Sequence, residues 1–328
     1  PLACIEVEND NWEELTTIPL TSITATLEIE KRELFALPYL GEEQDFLRDR
    51  IEKLFVMNVT ALQNFLNVAD AGPEYFVSNS LLRFPQAKNI SATYGSAIHK
   101  ALEDFFADYK NNKSYKREIL FTSFEKYLKN EWFDPKTEET YLHRGKENLE
   151  AIYIEVTGQS YGELFLEEDF RSAYGGTFLP TDTTKAIQLT GKIDRIERLP
   201  DDSLIITDYK TGGGFDSFDG KWAEYAKIKQ WKYRLQLAFY AILFELSPRW
   251  RMYQNKKYEL FFVEKNRDED RFHRVVEYIQ TGEVERTKKL IIAVMSKIES
   301  LDFPDITKYP KTLDGIRQFE EDLLSNQI

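Results

Sequence analysis

A chain of 328 residues with 42% hydrophobic and 14% aromatic content can bury one large core or two modest ones. Its single cysteine, Cys4, excludes an internal disulfide framework, a four-cysteine zinc site and a cysteine-held iron–sulfur cluster, and fits a reducing cytoplasm. The net charge of −13 argues against a uniformly basic coat for nucleic acid. No run approaches the roughly 20 apolar residues of a membrane span; the longest, Leu237 to Phe244, has the length of a core helix. The chain begins at Pro1 without a methionine or a charged-then-apolar leader, and so reads as a piece of something longer.

In chain order, residues 1–55 read as an appendage or the end of a preceding domain. They hold a β-like stretch, Thr21 to Ile29, and an acidic helical stretch, Gly41 to Leu54. Residues 56–328 read as one further domain. Helical patterning takes over from Asn58, with Thr60 as the N-cap, Gly72-Pro73 as a stop and "YFVSNSLLRFP" as a bridge. Gly95 to Tyr109 carries Ile98, Ala101, Leu102, Phe105 and Phe106 at helical spacing. Helices are also expected over Lys116–Lys129 and Glu138–Thr157. The period then shortens, and "GELFLEEDFRS", "IQLTGKIDRIERL" and "SLIITDYKT" read as strands. A helix through "KQWKYRLQLAFYAILFEL", a strand at "YELFFVEK", a helix over Glu283–Ser300 and an acidic C-terminal helix complete the pattern. The order predicts an α/β (α+β) core, a central mixed sheet covered by helices with a helical N-terminal part.

Asp208 and Lys210 interrupt an otherwise buried strand, two residues apart and therefore on one face. Pro200-Asp201-Asp202 is a turn signal between two strands. A hairpin centred on Asp201 sets Asp194 directly opposite Asp208, seven residues away on each side. Facing carboxylates repel, and a divalent cation such as Mg²⁺ is the simplest compensation. Lys210 then lies beside it, placed to orient a water or steady a phosphate charge. The competing reading is an ordinary surface ion pair of Asp194 with Arg195 or Lys210. Between Lys221 and Lys257, nine basic residues face only Glu224 and Glu245, a local net charge of +7.

"GKIDRI", fourteen residues from Asp194 to Asp208, and "DYKTG" together resemble the PD-(D/E)XK nuclease superfamily in its RecB-like branch. "GSAIHKALEDFF" is similar to that branch's G-x-x-x-H helix, and "RLQLAFYAILFE" to its Q-x-x-x-Y helix. "LLRFPQA" further resembles nuclease domains at the C-termini of UvrD-like bacterial helicases. The resemblance implies a restriction-endonuclease-like core. His99, Asp194, Asp208 and the Tyr209 carbonyl would hold Mg²⁺ or Mn²⁺, with Lys210 assisting. Gln236 and Tyr240, one turn apart on one helical face, would form a joint hydrogen-bonding surface for substrate. Glu168 matches an acidic position that some relatives use near the metal, with Glu167 and Asp169 competing for it. Some relatives also clamp an iron–sulfur cluster, one cysteine lying near the position of Gly72; this chain has no cysteines for it.

The implied activity is metal-dependent DNA hydrolysis from strand ends, in repair or recombination, by a domain of a helicase–nuclease. The motor would lie outside this chain, because no G-x-x-x-x-G-K-[ST] loop is present. Lys227, Lys229 and Lys232 in the basic segment would hold DNA phosphates without reading sequence. A catalytically silent docking module with the same fold is the rival from another class. An unrelated metal phosphoesterase should bring more histidines to the acids.

Overall fold

The computed structural model describes residues 41–85, 89–129, 134–171, 176–182, 185–218, 222–266 and 269–328. Thr21–Ile29 and Cys4 lie outside them. The chain divides into two units, Pro1–Asp49 and Arg50–Ile328. The described part of the first is the beginning of α1 (Gly41–Leu54).

In the second unit the first helices start where side chains satisfy free N–H groups. Asn58, not Thr60, caps α2 (Val59–Leu66), its side chain accepting from Ala61 N–H at 2.9 Å. Gly72-Pro73 opens a helix instead of ending one. After left-handed Ala71 (φ 70°), Pro73 sits in the first turn of α3 (Gly72–Phe76), where a missing N–H costs nothing. The expected bridge continues as one π-turn, Val77–Leu81.

α4 (Ile90–Asn112), capped by Asn89, buries the predicted stripe of Ile98, Ala101, Leu102, Phe105 and Phe106. α5 (Arg117–Lys129) and α6 (Pro135–Val156) pack on it. Gly145 of α6 lies so close to α5 that a Cβ there would fall 2.0 Å from Phe124 Cζ. Phe124 is fully buried and has no room to retreat. Gly145→Ala is therefore expected to destabilise the protein by about 1–3 kcal/mol through overpacking. That outweighs the helix-propensity gain of about 1 kcal/mol. A melting temperature equal to or above wild type would show that the two helices can separate freely.

The strands are β1 (Glu163–Asp169), β2 (Thr177–Leu179), β3 (Ile187–Leu189), β4 (Lys192–Arg198), β5 (Leu204–Lys210), β6 (Lys256–Phe262) and β7 (Arg274–Glu277). The main sheet has the order β1-β4-β5-β6-β7. β5 and β6 run parallel, and the other neighbours are antiparallel. The stretch "IQLTGKIDRIERL" is two strands, not one: β3 pairs with β2 in a separate two-stranded sheet. The break falls at Gly191, where a Cβ would meet Leu243 Cδ1 at 2.6 Å, so glycine keeps the chain clear of that side chain. β2 and β7 were not expected; at three and four residues they are too short to show an alternation.

A parallel neighbour requires a crossover, and α7 (Glu224–Leu246) supplies it between β5 and β6. On one side of the sheet Tyr209 and Phe261 join the α4–α6 core. On α7, Phe244 packs on Phe170, Trp250 and Tyr258. α8 (Thr281–Ser300) and α9 (Leu313–Leu324) follow β7. A mixed sheet flanked by helices is the expected class.

Candidate active site

The β4–β5 hairpin closes at Asp201, whose carboxylate accepts from the Ser203 N–H at 3.0 Å, with Asp202 at φ 60°. Its pairs run from Arg198↔Leu204 to Arg195↔Thr207. One step further in this register sets Asp194 opposite Asp208. Each carboxylate has its own partners. Asp194 Oδ2 accepts from the Tyr209 N–H at 2.7 Å, and Oδ1 lies 3.3 Å from His99 Nδ1 on α4. Burial alone would lower the His99 pKa, but the bond to Asp194 together with the Asp194 and Asp208 charges outweighs it, and the net shift is upward. Arg195 does not pair with Asp194. It points to the opposite face, over Phe106 at 4.8 Å and 3.7 Å from Glu259.

Asp208 is held from α7. Its Oδ1 accepts from Tyr240 Oη at 2.8 Å and from Gln236 Nε2 at 3.0 Å. The Gln236 oxygen accepts from Lys210 Nζ at 2.7 Å, and that ammonium lies 2.6 Å from Asp208 Oδ2. Beyond this ion contact, Oδ2 is buried and receives no hydrogen bond. Burial raises the Asp208 pKa; Lys210 pulls it back, and Asp194 pushes it up again. Gln236 and Tyr240 thus spread over the site's own acid and base. Tyr240 is buried and Gln236 half-buried, with their polar ends turned to Asp208 and Lys210.

Beside this network lies a cleft of about 760 Å³, whose wall includes His99, Asp194, Tyr209, Lys210 and Tyr233, while Asp208 and Tyr240 are buried behind it. Gly95, four residues before His99, faces Thr211, and a Cβ there would sit 3.0 Å from Thr211 Oγ1. The glycine allows α4 to approach the end of β5. Glu168 is not in the cleft. It accepts from Arg249 at 2.7 Å and from the Trp250 indole at 3.2 Å. Glu167 lines the cleft instead, at φ 51° and opposite Asp194 in the β1–β4 register. Burial raises its pKa against the ion pair with Lys192. Glu103, one turn beyond His99, lines the cleft as well, paired to Lys100 at 2.5 Å. The helical spacing from His99 to Glu103 was a signal available in the sequence.

The basic segment is not one track in space. Lys227 pairs with Glu224 at 3.2 Å and Lys232 with Asp70 at 3.2 Å. Arg234 is clamped by Glu277 and Glu283, at 2.8 and 2.6 Å. Lys221 lies outside the described residues. Positions 227 and 229 are about 200° apart around a helix and face opposite ways. Lys229 turns toward the cleft, donating to the Gly213 carbonyl at 3.3 Å; burial, then the nearby Lys210 charge, lowers its pKa.

His99, Asp194 and Asp208 offer one imidazole nitrogen and two carboxylates, and buried Oδ2 of Asp208 has only an ammonium beside it. That set fits a divalent cation. A tighter acidic group, Asp216, Glu269 and His273, brings its ligand atoms within 4.8 Å of one another. It already holds its cation, because Arg271 pairs with both acids and His273 Nδ1 lies 2.8 Å from Asp216. Arg271 and then His273 hold the Asp216 carboxyl far below the usual range.

No curated protein matches this chain. A solved structure described as "Crystal structure of SSO0001" is 14% identical over 86% of this chain and 87% of its own, with a TM-score of 0.31. The family model of the PD-(D/E)XK nuclease superfamily matches residues 64–313, a span that holds every residue of the cleft. These nucleases generally work with divalent metal ions, in keeping with the donors on β4, β5 and α4. With the paired acids, the D-x-K strand and the match in one continuous region, the chain belongs to the PD-(D/E)XK nuclease superfamily.

Proposed function

We propose that the cleft hydrolyses phosphodiester bonds of DNA with Mg²⁺ or Mn²⁺, working from strand ends. The observation that carries this reading is the convergence of four distant motifs. His99 reaches Asp194, while Lys210, Gln236 and Tyr240 reach Asp208, all at 2.6–3.3 Å. His99, Asp194 and Asp208 would hold the metal, with the Tyr209 carbonyl as a further donor. Once bound, the metal lowers the pKa of a water and neutralises charge on the scissile phosphate. Lys210, steadied by Gln236 and lying over the Tyr233 ring at 4.9 Å, presents a fixed ammonium to developing charge. Gln236 and Tyr240 act as positioning residues for Asp208 and Lys210, and Lys229 is the nearest helix lysine for a phosphate.

On this reading residues 56–328 are a nuclease domain of the RecB-like branch. It would serve DNA repair or recombination in the cytoplasm beside a UvrD-like helicase motor in the parent protein. Among the described residues no helix is long and apolar enough to cross a membrane. The test is digestion of end-labelled single- and double-stranded DNA, with RNA alongside. Shortening of labelled DNA with Mn²⁺ or Mg²⁺, abolished by EDTA, is the expected result. Intact DNA under all metal conditions, with binding retained, would leave a silent docking module in its place.

A further inference from the structure

A second pocket lies across one aromatic layer from the cleft. Tyr233, in the cleft wall, stacks on Phe215 with ring centres 6.1 Å apart. Phe215 in turn contacts Phe218 at 5.3 Å and Trp222 at 6.1 Å, and both of these line the second pocket, of about 440 Å³. Phe215 is itself buried and lines neither hollow, so the two are neighbours separated by one packed aromatic layer.

Its rings are held in place. Gln230 of α7 is buried, and its amide fits with the oxygen 2.8 Å from Trp222 Nε1 and the nitrogen 3.2 Å from the Phe218 carbonyl. A buried amide thus fixes two half-exposed aromatics. Trp231 forms another wall, its indole N–H donating to Glu320 at 3.0 Å. Most charges around it are already answered: Lys227 by Glu224, and Arg234 by Glu277 and Glu283 while it lies over the Phe218 ring. Arg317 is different. It lines the pocket, is exposed, and makes no ion pair among the described residues. Asp314 on the same wall is an acceptor suited to an amino group on a base edge, not to a phosphate.

Preorganised aromatic faces with one free cation are what an unpaired base and its phosphate require. We propose that this pocket takes a nucleotide of the single strand that runs from the cleft, with its base against Trp222 and Phe218 and its phosphate at Arg317. A strand is favoured over a free nucleotide by the closeness of the pocket to the cleft, with Tyr233 of one and Trp222 of the other both packed on Phe215. From Tyr233 in the cleft wall to Gln230 at the pocket is also only about 4.5 Å along the helix. The proposal rests on the nuclease reading.

The experiment measures binding of fluorescent single-stranded DNA of three and fifteen nucleotides in Mg²⁺, with Asp208→Asn as the parent to prevent cutting. Trp222→Ala should weaken the fifteen-mer about tenfold, as expected for losing one stacked base, and the trimer far less. Trp222→Phe, which keeps a ring, should restore most of the affinity. Arg317→Glu, a surface change, should weaken the fifteen-mer and flatten its salt dependence by roughly one phosphate. Equal affinity in Trp222→Ala and Arg317→Glu at unchanged melting temperature would overturn the pocket and leave the nuclease reading standing. Saturation of Trp222 fluorescence quenching by a mononucleotide, with no preference for the longer strand, would overturn the strand assignment. If the parent binds no DNA at all, the nuclease reading falls and this proposal with it.

Discussion

Asp208→Asn is expected to reduce metal-dependent DNA cleavage by a factor on the order of 10³ or more while the protein stays folded. The loss follows from what the carboxylate does: it is the acid shared by Tyr240, Gln236 and Lys210, and it faces Asp194. Removing one preorganised electrostatic group from such a site typically costs about 10²–10³ in rate. Loss of a metal ligand adds to that. The fold should survive, because an asparagine oxygen still accepts from Tyr240 and one of two opposed negative charges is gone. Lys210→Ala should lose activity to a similar degree for a different reason. It leaves Asp208 Oδ2 buried without a cation and so favours the protonated acid, which is a poorer ligand. The two changes act on one unit, so the double variant should be scarcely worse than either single one. Cleavage time courses on one labelled substrate decide this. Wild-type rates in either single variant would remove the β5 site from the mechanism.

Mn²⁺ should raise the melting temperature of the wild-type protein by on the order of 5 °C. A ligand at a hundred times its Kd stabilises the native state by about 2.7 kcal/mol. Each kcal/mol moves Tm by roughly 2–4 °C in a chain approaching this size. Asp194→Asn should melt at or above the metal-free wild type. It removes one opposed charge but keeps an oxygen for the Tyr209 N–H. The same variant should lose most of the Mn²⁺ gain. His99→Ala should also lose the gain without the metal-free benefit, because it relieves no repulsion. Should Asp194→Asn melt lower than wild type and still respond fully to Mn²⁺, Asp194 would be a structural acceptor for β5 alone.

Part of this protein rests on local rules of spacing and turn chemistry that act over a few residues. Helical and strand periods located α1, α4, α7 and β5, and α1 occupies the residues expected, Gly41–Leu54. The turn at Asp201 was enough to give the β4–β5 register, whose pairs run to Arg195↔Thr207, one step short of Asp194 and Asp208, since an antiparallel register follows from counting residues on each side of a turn. Helical spacing put Gln236 and Tyr240 on one face, where both meet Asp208. What lay beyond local rules was decided by packing between distant segments. Whether Glu167 or Glu168 enters the cleft depends on the pairing of β1 with β4, twenty-nine positions apart at Leu166↔Arg195 and twenty-five at Glu168↔Ile193. That Gln236 and Tyr240 reach Asp208 follows from the crossover, which lays α7 on β5. The +7 segment dispersed for the same reason. Asp70, Glu168, Glu277 and Glu283 come from far along the chain to its cations, and Coulomb attraction acts through space, where a count along the sequence cannot see it.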